Sequence, residues 1–230
     1  MPMSRPLPAL PAVVRAIMFD LDGTLIDTMG GFADVAAAVM AKRHGLELAQ
    51  ARRRYMETSG IPFRQQLEVI APGHADNDGA SDEFETRKRV VCDEARMTPE
   101  TVAGLEQLRG AGIKLVVSSN GAQHFVDQFQ AQETFRFELA LGFDASAWLA
   151  KGEPHVVRTC AELGLSRDGI VFCGDSLKDG DLARECGLAF IGRLGTFNRD
   201  EFRRWDATAS VTCVADIAAL AEFLQSRAAA

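Results

Sequence analysis

Short apolar runs rich in β-branched residues recur along the chain, each ending at a turn and each separated from the next by a helical pattern. The first, Val13–Phe19 (V-V-R-A-I-M-F), stops abruptly at D-L-D-G, so a strand gives way to a turn there. Ile113–Val117, Gly169–Cys173, Leu188–Ile191 and Ser210–Val214 have the same character, and Phe137–Gly142 is a weaker sixth. Between them apolar residues recur three and four apart, as in Thr101–Arg109 (Val102, Leu105, Leu108) and His155–Leu163 (Val156, Cys160, Leu163). That is the spacing of a helix buried along one side. Strands alternating with helices predict right-handed crossovers and a parallel sheet covered on both faces.

The fold class that follows is α/β, with a doubly wound, Rossmann-like core. One stretch breaks the rhythm. From Met29 to Met97 the patterns are helical only: Phe32–Arg43, Ala49–Glu57, Phe63–Ile70 and Asp82–Arg96, interrupted by Gly60-Ile61-Pro62 and by the polar stretch Pro72–Ser81. Roughly 70 residues far exceed the dozen or so that a crossover needs. An all-helical domain inserted after the first strand accounts for them. Its hinges fall near Asp27–Gly31 and Met97–Pro99, leaving 13–28 and 98–230 as the core and 29–97 as the insert.

Composition narrows the function classes. With 230 residues, 47% hydrophobic and 25% charged, the chain resembles an ordinary globular protein. A net charge of −7 argues against nucleic acid as the main partner, because phosphate backbones attract basic surfaces. No apolar run is long enough to span a membrane, and Met1–Pro11 lacks the apolar segment of a signal peptide. Met1–Pro11 and Ala228–Ala230 read as loose ends. The five cysteines are scattered without C-x-x-C pairs, as expected of reduced thiols in a cytoplasmic protein. His44, His74, His124 and His155 show no metal spacing and read as surface or helix-end residues. D-N-D-G-A-S-D (Asp76–Asp82) lacks the twelfth-position glutamate of a calcium loop and reads as a solvated loop.

Open parallel sheets bind ligands at the carboxyl ends of their strands. The first strand delivers Asp20, Asp22, Gly23 and Thr24 there, and the second delivers Ser118, Ser119 and Asn120. Lys151 follows the weak third, and the next strand delivers Gly174, Asp175 and Ser176, with Asp179 one turn on. Singly, each has a plainer reading: D-x-D-G as a turn, S-S-N and G-D-S as helix caps, Lys151 as a solvated charge. Together they make a set suited to phosphoryl transfer. Oxygen ligands suit Mg²⁺, a carboxylate can attack phosphorus, and a lysine and small donors stabilise charge on the equatorial oxygens. A second carboxylate can move the protons.

These segments resemble the haloacid dehalogenase superfamily of hydrolases, in particular its phosphoglycolate-phosphatase-like branch. F-D-L-D-G-T-L-I-D-T (Phe19–Thr28), K-L-V-V-S-S-N (Lys114–Asn120), K-G-E-P (Lys151–Pro154) and V-F-C-G-D-S-L-K-D-G-D-L-A-R-E-C-G (Val171–Gly187) resemble its four motifs in order. The resemblance implies Asp20 as nucleophile and metal ligand, and Asp22 as general acid/base that lends its backbone carbonyl to Mg²⁺. Ser119 and Lys151 would hold the phosphoryl group, with Thr24 and Asn120 beside them. Asp175 would complete the metal shell, backed by Asp179 and Ser176. The substrate implied is a small phosphorylated metabolite, with the insert acting as a small cap. Arg64, after the Gly60–Pro62 break, is a candidate for recognising an anionic leaving group. Gly152 replaces the first proline of the family's usual K-P-x-P.

Three rivals are weighed against this. A dehalogenase would lack Asp22. A phosphomutase would carry a lysine and an arginine on the cap loop, and Glu57–Arg64 has only the arginine. A non-catalytic binding protein would be expected to have lost Asp20, Asp22 or Lys151.

Overall fold

The computed structural model describes residues 6–206 and 211–228. The chain divides into two compact units, one holding the chain up to Ile26 and from Arg96 onward, the other Asp27–Ala95. Among the described residues the first unit contains six parallel strands: β1 (Ala16–Phe19), β2 (Lys114–Ala122), β3 (Leu139–Phe143), β4 (Ile170–Gly174), β5 (Ala189–Arg193) and β6 (Thr212–Val214). They lie in the order β3-β2-β1-β4-β5-β6. Helices α1 (Met29–His44), α2 (Leu48–Glu57), α3 (Phe63–Ile70) and α4 (Asn77–Glu94) form the second unit. The first unit holds α5 (Pro99–Gly110), α6 (Gln123–Gln132), α7 (Glu153–Leu163), α8 (Leu177–Glu185), α9 (Arg199–Trp205) and α10 (Ile217–Ala228).

β1 is central, and all four of its residues are fully buried. Helices on both faces of a parallel sheet require this, so the strand reads as a continuous apolar run rather than an alternating one. Burial of each of Ile17, Met18 and Phe19 contributes about 1.5–3 kcal/mol. Val13, expected in the strand, is 65% exposed and precedes it, because pairing with β4 and β2 begins only at Ala16. Leu7 packs against the apolar cluster built from β1, β4 and α8, so the presumed loose leader is attached from that residue on. The expected Ser210 start of the last strand lies outside the described residues. No helix among the described residues is long and apolar enough to cross a membrane.

The helical unit has a core of its own. Phe32, Tyr55, Phe63 and Phe84 stack at centroid distances of 4.3–6.2 Å. Ala33, Ala36, Ala37, Ala51 and Ala80 let the helices approach. One expectation fails here. Asn77–Ser81 belongs to α4, so the Asp76–Asp82 stretch is largely helix, neither solvated loop nor calcium loop. Asn77, Ala80 and Phe84 are buried, spaced three and four apart on one helical face. Asn77 also donates through its side-chain amide to Glu68 Oε1 at 3.0 Å and to the Ala71 carbonyl at 2.9 Å. Tertiary packing thus overrides a locally loop-like composition.

Candidate active site

The chain builds β1, β2 and β3 towards one edge and then crosses to β4 on the other side of β1. The crevice at such a switch point, beyond the carboxyl ends of the strands, is the ligand site of open α/β sheets. Asp20 leaves β1 there, its N–H donating to the Cys173 carbonyl at 2.9 Å. Asp175 leaves β4 alongside it. Asp179 lies on the first turn of α8, in a reciprocal cap with Ser176. The Ser176 N–H and Oγ–H donate to Asp179 Oδ2 at 3.0 and 2.6 Å, and the Asp179 N–H donates to Ser176 Oγ at 3.1 Å. Gly174 makes this possible, since a Cβ there would sit 2.6 Å from the Asp179 side chain.

Carboxylate oxygens of Asp20, Asp175 and Asp179 all lie within 4.8 Å of one another. Lys151 Nζ donates to Asp20 Oδ1 at 2.6 Å and to Asp179 Oδ1 at 2.5 Å. With its side chain 3% exposed, Lys151 is no solvated surface charge. Gly152, at φ +113°, explains the departure from K-P-x-P: proline is locked near −65° and cannot adopt that backbone.

Burial first, then three neighbouring carboxylates, push the Asp20 carboxyl well above the ordinary range, with Lys151 opposing them. Burial and the charge of Asp179 push Asp175 up to about 7, against the Thr196 hydrogen bond and Lys151. Burial acts to lower Lys151, but the Asp179 and Asp20 carboxylates outweigh it and hold the ammonium above its usual range. Desolvating such groups costs several kcal/mol apiece and seldom stabilises a fold, so a cluster of them in a crevice points to function. The donors are all hard oxygens, and three carboxylates face one ammonium. This set fits a divalent cation that prefers oxygen ligands.

Thr24 Oγ1 donates to Asp175 Oδ1 at 3.4 Å. Asp22 is half-buried, in a turn where the Gly23 N–H donates to the Ile26 carbonyl at 2.8 Å. Its carboxylate is not part of the acidic trio. Ser119 is buried near the end of β2, its Oγ accepting from the Gly121 N–H at 2.9 Å, and Asn120 beside it is exposed. Arg64 belongs to the helical unit, where Asp78 and Glu68 engage its guanidinium.

Two residues escaped the sequence reading. Thr196 donates from Oγ1 to Asp175 Oδ2. It lies just past β5, and inspecting that strand's carboxyl end as well would have found it. His155, expected at the surface or at a helix end, does lie on the first turn of α7 but is fully buried. It sits four residues after Lys151, beside the apolar stripe of α7, where its position on the buried face was the available signal.

Residues 14–187 match the haloacid dehalogenase-like hydrolase family. A phosphoglycolate phosphatase from Neisseria meningitidis is 30% identical over 191 residues, covering 78% of this chain and 80% of that protein. One from Chromobacterium violaceum is 29% identical, covering 77% and 84%. A haloacid dehalogenase-like hydrolase from Streptococcus pneumoniae superposes with a TM-score of 0.74 at 18% identity, covering 91% of this chain and 98% of that one, which shows the shared fold. The order of motifs, the strand order, the buried acidic trio and these matches agree, and the chain belongs to the haloacid dehalogenase-like hydrolases, in their phosphoglycolate-phosphatase-like branch.

Proposed function

We propose that the chain hydrolyses a small phosphate monoester, with Mg²⁺ as cofactor, through an aspartyl-phosphate on Asp20. The observation that carries this reading is the Lys151 ammonium bridging Asp20 and Asp179, with Asp175 beside them. Phosphoglycolate phosphatases among the relatives support a small, anionic substrate.

Asp20 attacks phosphorus opposite the leaving oxygen. A new Asp20–phosphorus linkage forms as the ester P–O bond breaks, and Asp22 gives its proton to the departing oxygen. Lys151 and Ser119 hold equatorial oxygens of the transferring group, assisted by Thr24 and Asn120. Asp22 then takes a proton from water as the water oxygen attacks phosphorus. The Asp20 linkage breaks, releasing orthophosphate and restoring the carboxylate. Asp179, capped by Ser176, keeps Lys151 aimed at Asp20. Mg²⁺ would be held by Asp20, Asp175 and the Asp22 carbonyl, supplying positive charge against the phosphoryl oxygens. We further assign the choice of leaving group to the helical unit, with Arg64 as one contributor.

A panel of phosphate monoesters tests the reading. Phosphate release should require Mg²⁺, disappear with EDTA and return when Mg²⁺ is restored, and beryllofluoride should inhibit it. Hydrolysis that continues unchanged in metal-free buffer would refute the metal assignment, and no release from any ester would refute the activity.

A further inference from the structure

We propose that His155 is a positioning residue that sets the spacing between Ser119 and Lys151, acting through Ser118. The inference rests on the reading above, in which those two side chains hold the phosphoryl group. Ser119 comes from β2 and Lys151 from the segment between β3 and α7, and the two side chains do not bond each other: Ser119 Oγ meets the Gly121 N–H, while Lys151 Nζ meets Asp20 and Asp179. A further tie between their two segments matters, because a misplacement of about 1 Å can cost a hundredfold in rate.

The His155 ring spans that gap. It lies on the first turn of α7, fully buried. Nε2 lies 3.0 Å from the Gly142 carbonyl of β3, and Nδ1 lies 2.9 Å from Ser118 Oγ. A carbonyl only accepts, so Nε2 carries the proton and Nδ1 accepts from the Ser118 hydroxyl. One ring therefore ties three elements together: β2 at the residue preceding Ser119, β3, and the helix entered two residues after Lys151. Gln123 reinforces the same strand, its Oε1 accepting from the Gly142 N–H at 2.6 Å and its Nε2 donating to the Ala140 carbonyl at 2.9 Å. Burial, with the Lys151 charge acting in the same sense, lowers the His155 pKa to about 4 although the Gly142 hydrogen bond opposes them. The ring therefore stays neutral and keeps one tautomer near neutral pH, as a fixed strut and not a proton carrier. Packing alone would be served by leucine, without the desolvation of two ring nitrogens.

The test compares wild type with Ser118→Ala, His155→Leu and His155→Asn. Readouts are thermal midpoint, kcat and KM for para-nitrophenyl phosphate at saturating Mg²⁺, and inhibition by inorganic phosphate. Ser118→Ala and His155→Leu should lower kcat by about ten- to a hundredfold and weaken phosphate inhibition in proportion. His155→Asn places an amide oxygen near the Nδ1 position and should recover part of the loss. If His155→Leu fails to fold, Ser118→Ala carries the test with the loss of one hydroxyl. Folded Ser118→Ala with wild-type kcat and wild-type phosphate inhibition, whatever its thermal midpoint, overturns the proposal while leaving the phosphatase reading intact. Wild-type protein that neither releases nor binds phosphate overturns both.

Discussion

In the helical unit, charges meet one another at the surface. Lys42 pairs with Glu83 while 65% exposed, and Arg52 pairs with Asp34 at 48% and 70% exposure. The interior there is apolar, built from aromatic rings, alanines, Val39, Met40 and Leu67. At the ends of β1 and β4 the arrangement is inverted: Asp20, Asp175, Asp179 and Lys151 are withdrawn from water and brought together. Exposed pairs contribute about 0–1 kcal/mol each, whereas a buried cluster opposes folding unless its members satisfy one another. One unit therefore places its stabilisation and its charge in separate regions, and the other concentrates charge where chemistry is expected. Substitutions should separate these two designs.

The largest effect should come from Asp20→Asn. Turnover should be abolished, since an amide is a poor nucleophile and a weaker metal ligand, while the thermal midpoint changes little because Lys151 keeps Asp179. A large thermal loss in this variant would mean that the cluster is structural, and the contrast between the units would fail.

Phe84→Ala should show the converse. Phe84 is 3% exposed and meets the Phe63 ring at a centroid distance of 4.3 Å. Truncation should cost about 3–5 kcal/mol of stability, read from denaturant unfolding. A loss below about 1 kcal/mol would show a core that collapses around the gap.

A pH series sharpens the account of the buried polar groups. The His155 pKa is about 4 against an ordinary 6.5, so on acidification the unfolded chain binds the proton first. Its contribution is complete above about pH 6.5 and is lost as pH falls towards 4, on the order of 3 kcal/mol in full and about 2 by pH 5. Asp20 and Asp175, whose pKa values are raised, act in the opposite sense. Comparing wild type with His155→Asn isolates the histidine: the variant should lose less stability between pH 7 and pH 5, and parallel losses would contradict its buried, neutral state.

Arg64→Ala should have the smallest effect. Glu68 and Asp78 already engage its guanidinium, so loss of a charge-assisted contact should lower kcat/KM for a preferred anionic substrate by about 1 kcal/mol. Hydrolysis of para-nitrophenyl phosphate should stay intact. Equal losses on both substrates would point to damage within the helical unit, and no loss on either would leave Arg64 as a partner of those two carboxylates alone.

The same contrast explains what the sequence could convey. Asp20 with Asp22, and Asp175 with Asp179, are close in the chain, and the strand ends that carry them are marked by apolar runs that stop at turns. Local pattern was enough to place the sheet and its acids. What escaped depends on partners far away in the chain. Lys151 was legible through the K-G-E-P motif but its bond to Asp20, at a separation of 131 residues, was not, and His155 finds Ser118 at a separation of 37. Asn77 leaves a polar stretch to start α4 because Glu68 and the Ala71 carbonyl meet its side chain. No periodicity records such choices.

The most direct test of the central claim is to look for phosphate on Asp20. In Asp22→Asn, removal of the base should slow attack by water, while para-nitrophenyl phosphate, whose leaving group needs little protonation, still phosphorylates the enzyme. After an acid quench of that variant during turnover with Mg²⁺, peptide mapping by mass should find a phosphoryl group on the peptide containing Asp20, and none when Asp20 is also changed to Asn. Continued phosphate release by Asp22→Asn with no adduct, or an adduct on a different residue, would contradict the account.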